Sequence, residues 1–227
     1  YNEVTAIPIN VKVEMPDSVP IPQRLVERVI SMASDIFILD ECICRGVTNC
    51  SSYSKKIGCM ALGRPVKRMH PSHGRLVSRE EALAHAKKAA DAGLIANIAH
   101  VWIDPLAFAL PNFNRLMFIC FCDDCCCLYR TYLKDRGPNL DKAYKRLPGI
   151  SVRVERELCE KCGKCAELCF VGAIRMEAGR PVITEDCRGC GRCVEMCPHQ
   201  AMKLELEDEE TLFARLKERI EAVADIS

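Results

Sequence analysis

The sequence predicts an α+β protein: a Cys-rich N-terminal domain of α/β type, a compact duplicated cysteine unit, and a C-terminal helix. Three observations carry that expectation. Seventeen cysteines in 227 residues gather in tight groups, and eight of them form two copies of one spacing, offset by 28 residues. Apolar residues recur at helical spacing in three separate segments. Short apolar runs between those segments read as strands. A chain of this length buries an ordinary core, so the cysteines are not needed as disulfide staples. The boundaries fall at 1–147, 148–207 and 208–227, with Pro148 and Gly149 marking the first.

In the N-terminal domain, Pro20 and Pro22 start a helix that places Leu25, Val26, Val29, Ile30 and Ala33 on one face. Residues 36–39 follow as a buried strand that runs into Cys42, Cys44 and Arg45. A second helix is marked at both ends: Ser78 caps it, Glu81 completes a capping box, and Gly93 stands just past its end. Two apolar stretches come next, 94–103 and 115–121, the second ending in Cys120, Cys122, Cys125, Cys126 and Cys127. Residues 128–147 read as helical turns bridging to the duplicated unit, and Trp102 as core.

Those nine N-terminal cysteines form two groups in the sequence. Cys42, Cys44, Cys50 and Cys59 supply four thiolates, enough for one 4Fe-4S cluster or one zinc ion. Cys120, Cys122, Cys125, Cys126 and Cys127 are close enough to compete for the same metal. An isolated cysteine is a good small hydrophobe, but five in eight residues exceed what packing requires. One or two further Fe-S clusters, a zinc ion and a redox-active thiol group all stay open for these positions.

The duplicated unit is more specific. Cys159-x2-Cys162-x2-Cys165-x3-Cys169 recurs as Cys187-x2-Cys190-x2-Cys193-x3-Cys197. The triple spacing wraps three corners of an iron-sulfur cube, and the fourth thiolate crosses over from the other copy. Two 4Fe-4S clusters are therefore expected, one on Cys159, Cys162, Cys165 and Cys197, the other on Cys187, Cys190, Cys193 and Cys169. The repeat also matches Gly163 with Gly191, Lys164 with Arg192 and Glu167 with Glu195. Strands are expected at 150–154, 173–176, 181–184 and 201–206, with 177–180 as a hairpin turn. Paired zinc sites or disulfides are the competing readings of these eight cysteines, and zinc sites seldom use this register.

On these motifs residues 148–206 resemble a bacterial two-cluster ferredoxin, with Phe170 standing where the second copy has Pro198. The segments Ile38 to Arg45, Gly58 to Gly63, Gly74 to Leu83 and Phe118 to Cys127 resemble a family of 4Fe-4S binding proteins from anaerobic archaea and bacteria. Members join such a Cys-rich domain to a two-cluster ferredoxin module, which implies metal binding and electron transfer. Asp123 and Asp124 depart from that family's second motif.

The net charge of +1 divides unevenly: residues 1–149 carry 20 Lys+Arg against 15 Asp+Glu, and residues 150–227 carry 12 against 16. Each oxidised cluster with its four thiolates adds about −2 to the acidic half. That polarity suits docking of a soluble redox protein, donor or acceptor. No nucleic-acid motif accompanies the basic residues, and no apolar run reaches the length of a membrane span. The first residues do not form a signal peptide, Tyr1 leaves room for sequence before it, and a cytoplasmic setting is expected.

Weaker candidates are His70 and His73 as ligands, more in keeping with a surface turn beside Pro71 and Gly74, and His199 beside a cluster loop. Arg45 suits a hydrogen bond to a cluster sulfide, an anion contact or a surface salt bridge. Leu212, Phe213, Leu216, Ile220 and Val223 place a helix across its own domain, with partner docking as the other reading. Two functions follow. In one, the protein passes low-potential single electrons between redox partners. In the other, an open iron or reactive thiols of the N-terminal domain reduce a small molecule or disulfide.

Overall fold

The computed structural model describes residues 19–21, 23–100, 107–110, 112–123, 125–127, 146–169 and 171–227. Trp102, Asp124, Phe170 and nearly all of the bridging turns at 128–147 lie outside the described residues. The architecture is mixed α and β, as expected. The N-terminal part is built on a six-stranded sheet of β1 (Val19–Ile21), β2 (Ile36–Leu39), β3 (Met60–Leu62), β4 (Gly74–Val77), β5 (Ile95–Ala99) and β6 (Met117–Cys122). Its order is β1-β5-β6-β3-β2-β4, and every pairing is antiparallel.

The sheet is covered on both faces, and period-two alternation sorts its residues. Ile36 and Ile38 join a core with Leu25, Val29 and Ile30 of helix α1 (Gln23–Met32) and Ala82, Ala86 and Ala89 of helix α3 (Arg79–Asp91). Phe37 and Leu39 point the other way, onto Val66, Met69, Phe108 and Phe118. The short helix α2 (Ile43–Val47) follows β2. Helix α3 starts at the expected capping box, in which the Glu81 N–H donates to Ser78 Oγ at 3.2 Å and the Ser78 N–H donates to Glu81 at 3.1 Å. One expectation shifts: Pro20 does not open α1 but lies in β1, an edge strand, where a missing N–H costs nothing.

The cysteine repeat folds as two small antiparallel pairs. Strand β7 (Ile150–Val154) pairs with β10 (Met202–Leu206), and β8 (Ile174–Glu177) with β9 (Arg180–Ile183). Helical turns α4 (Lys164–Glu167) and α5 (Arg192–Glu195) begin at Gly163 and Gly191, whose φ values of 79° and 77° need a residue tolerant of left-handed backbone.

Helix α6 (Glu209–Val223) is capped by Asp208, which accepts from the Thr211 N–H at 2.9 Å. It does not stay within its own domain. Leu212, Leu216 and Ile220 enter the core under α1, and Arg28 forks onto Glu210 with two hydrogen bonds of 2.7 Å. The same core holds Leu147 and Ile150, so α6 ties the N-terminal sheet to the cysteine repeat. The physical reason is area. The small strand pairs offer Ile150, Leu204 and Leu206, too little to cover a stripe three turns long, whereas α1 completes it.

Candidate metal centres

In the repeat, one cavity is lined by Cys159, Cys162, Cys165 and Cys197, together with Lys161, Gly163, Pro198 and His199. Cys169 lies instead beside Cys187, Cys190 and Cys193 and shares their electrostatic field. Backbone donors face the sulfurs: the Ala173 N–H is 3.1 Å from Cys169 Sγ, and the Gly189 N–H is 3.4 Å from Cys187 Sγ. At Cys197 burial disfavours the thiolate, yet N–H groups of Met202, His199, Ala201 and Gln200 outweigh it and hold the pKa below the ordinary thiol value. Burial, then Cys169 and Cys187, push Cys190 up to about 12. Four sulfurs per group with N–H donors aimed at them match the donor chemistry of a 4Fe-4S cluster, and the crowded thiols at Cys190 and Cys193 call for a cation core.

The N-terminal cysteines converge on one end of the sheet. Cys42 ends the turn after β2, Cys59 directly precedes β3, and Cys120 and Cys122 close β6. They do not sort by their order in the chain. Cys42 hydrogen-bonds Cys44 and Cys59, which together lower its pKa, and Cys59 meets Cys120, one step beyond the paired Met60 and Ile119. Cys122 contacts Cys127 and the side chain of Asn97. Cys50 leaves its sequence neighbours and joins Cys125 and Cys126, with all three Sγ atoms within 4.8 Å of one another.

Arg45 organises this end, in the field of Cys42 and Cys59. Its side chain is fully buried and pairs with buried Asp123 at 3.1 Å, so it is not a surface salt bridge. It also donates to the carbonyl oxygens of Phe121, at 3.0 Å, and Ile57. Asp123 in turn accepts from the N–H groups of Cys125, at 2.9 Å, and Cys126. The Cys50 N–H donates to the Arg45 carbonyl at 3.0 Å. One buried ion pair thus fixes the loop of Cys50 against the loop of Cys125 and Cys126. Removing one partner of such a pair strands a buried charge, at a cost of about 3–5 kcal/mol.

The two cysteine systems touch. Cys122 and Cys127 form a small cluster with Ile95, against which Cys120, Val171 and Cys190 pack. Beside them Arg192 is buried, donates to the Tyr53 hydroxyl, and sits 5.7 Å from that ring. Asn97, a polar residue inside an apolar strand, is a site residue that the sequence reading passed over, its signal being a polar side chain where the run demands an apolar one; Asp123 stood out only as a departure from the family motif, and its burial gives it a role. His70 and His73 are exposed on a 3-10 turn, Pro71–His73, and His199 is exposed.

A family model described as a 4Fe-4S binding domain matches the chain twice, over residues 152–175 and 180–203. The pair implies two 4Fe-4S clusters and makes this part of the chain similar to iron-sulfur electron-transfer domains. The N-terminal cysteine region carries no family assignment; its cysteine cluster is a possible metal site. No curated protein and no solved structure matches the chain. Among the described residues no helix is long and apolar enough to cross a membrane.

Proposed function

We propose that this is an iron-sulfur electron-transfer protein in which residues 148–207 hold two 4Fe-4S clusters and the N-terminal domain holds at least one further metal centre. When bound, 4Fe-4S clusters supply single-electron uptake and release. The observation that carries the reading is the packing of Cys190 and Cys120 against one small cluster of Ile95, Cys122 and Cys127, which brings a cysteine of the repeat to the N-terminal cysteines. In this reading Cys159, Cys162, Cys165 and Cys197 hold one cluster, and Cys187, Cys190, Cys193 and Cys169 the other. Cys42, Cys44, Cys59 and Cys120 are the first candidates for the additional centre. The resemblance to 4Fe-4S binding proteins of anaerobes points the same way. Partners are soluble redox proteins in the cytoplasm, and transfer to them weakens with salt because the chain's two parts carry opposite charge.

A reductase is the second reading, favoured by the exposed Cys125 beside buried Cys50 and Cys126, which leaves one side of that group open. One experiment addresses both. The intact chain, purified without oxygen, is assayed for iron and acid-labile sulfide and followed by low-temperature EPR. More than eight irons per chain, about twelve for one additional cluster, support an N-terminal cluster. Eight irons with zinc and no further sulfide would remove it. A signal altered by cyanide or a small thiol favours the reductase.

A further inference from the structure

Cys50, Cys125 and Cys126 stand apart from the other N-terminal cysteines. Their sulfurs all lie within 4.8 Å of one another, and those of Cys125 and Cys126 are 3.3 Å apart. Two thiolates on one tetrahedral zinc ion, with bonds of about 2.3 Å, stand about 3.8 Å apart. Thiolates of a four-iron cube each take a different iron, so they are spread well beyond that span. The spacing therefore suits one ion between three sulfurs.

The surroundings are built to hold that arrangement. Cys50 and Cys126 are each 8% exposed, while Cys125 is exposed. The buried Arg45–Asp123 pair locks both loops, through the Arg45 carbonyl on one side and the Asp123 carboxylate on the other. N–H groups of Tyr53 and Ser52 face the Cys50 sulfur, and the Thr48 hydroxyl faces Cys126. Ser52 Oγ is 3.8 Å from Cys125 Sγ. At Cys50 the backbone donors favour the thiolate, the form that binds metal, whereas at Cys126 burial outweighs the hydroxyl and pushes the thiol up to about 12.

We infer that Cys50, Cys125 and Cys126 form a mononuclear zinc site, separate from any cluster on Cys42, Cys59 and Cys120, with its fourth position open to water or a small ligand on the side of Cys125. The inference rests on the reading that the N-terminal cysteines bind metal. Three thiolates leave Zn²⁺ coordinatively unsaturated, the state in which it acts as a Lewis acid. Binding releases the thiol protons.

The test uses the full chain, prepared without oxygen, given one equivalent of Zn²⁺ and desalted, with zinc and iron measured together. About one zinc per chain is retained, and X-ray absorption at the zinc edge shows about three sulfurs near 2.3 Å and one lighter atom. Cys50→Ser and Cys126→Ser each cut retained zinc tenfold or more and leave iron unchanged, the unchanged iron showing that the chain still folds. Asp123→Asn weakens zinc about 10- to 100-fold by loosening the Cys125 and Cys126 loop. Three results overturn the site: no zinc retained by the unaltered chain, zinc with a shell of four sulfurs, or loss of about four irons in Cys50→Ser or Cys126→Ser. An iron count of eight with the zinc shell intact would remove the N-terminal cluster and leave this site standing.

Discussion

The two copies of the cysteine repeat share ligand spacing and backbone, yet they live in different surroundings. Gly163 and Gly191 begin equivalent turns with φ values two degrees apart. Lys164 is exposed, whereas its counterpart Arg192 is buried against Tyr53. Cys162 is exposed, whereas its counterpart Cys190 packs against the cluster of Ile95, Cys122 and Cys127 in the N-terminal part. Lys161 takes up a left-handed φ of 57°, while its counterpart is Gly189, where a Cβ would stand 2.6 Å from Ile150. A duplicated sequence thus makes one outward and one inward half. The lesson is that docking, not ligand spacing, distinguishes the halves.

The largest expected effect concerns metal removal. Chelator under mild oxidation should strip the outward half first, giving two phases of iron loss with about four irons in the fast one. Iron followed against time, with EPR on each phase, checks this. A single phase for all irons would break the contrast between exposed Cys162 and packed Cys190.

Gly189→Ala should follow in size. A Cβ there meets Ile150 at 2.6 Å on a backbone of φ 67°, so a destabilisation of about 1–3 kcal/mol is expected in chemical unfolding, accompanied by loosening of the Cys187 loop. An unchanged midpoint would show that Ile150 gives way without cost.

Arg192→Ala removes a buried donor to Tyr53 and should cost about 1–3 kcal/mol, while Lys164→Ala at the equivalent exposed position should stay within about 0.5 kcal/mol. Paired unfolding curves measure the difference. Equal effects would mean that the inward half is held by the apolar contacts of Ile95 and Val171 alone.

The smallest effect is Lys161→Gly. Relief of a left-handed lysine and the added chain entropy of glycine nearly cancel, so a shift under about 1 kcal/mol is expected in the same assay. A larger loss would mean that the Lys161 side chain, which lines the Cys159 cavity, supports that centre directly.

Much of the fold was legible in the chain, and for local reasons. The Ser78 and Glu81 capping box, the buried strand 36–39, and the turn of Ala178 and Gly179 each depend on residues within a few positions, so their chemistry is written where they fold. The eight-cysteine spacing is of the same kind. What escaped was set by distant neighbours. Pro20 read as a helix start because nothing near it signals its pairing with Asn97. The stripe of α6 was visible, but the face it covers belongs to α1, more than 180 residues away.

By itself, the sequence determined that the chain carries a duplicated iron-sulfur repeat, because ligand spacing within a short loop is a local constraint on how thiolates surround a cluster. It also determined that nine further cysteines gather in two stretches. Only the tertiary structure decided which of them meet. Cys50 joins Cys125 and Cys126, and Cys59 joins Cys120, because antiparallel β3 and β6 bring remote ends together and the buried Arg45–Asp123 pair locks the loops that follow. The cost of leaving either charge unpaired in that interior enforces the arrangement, and no spacing along the chain reveals it.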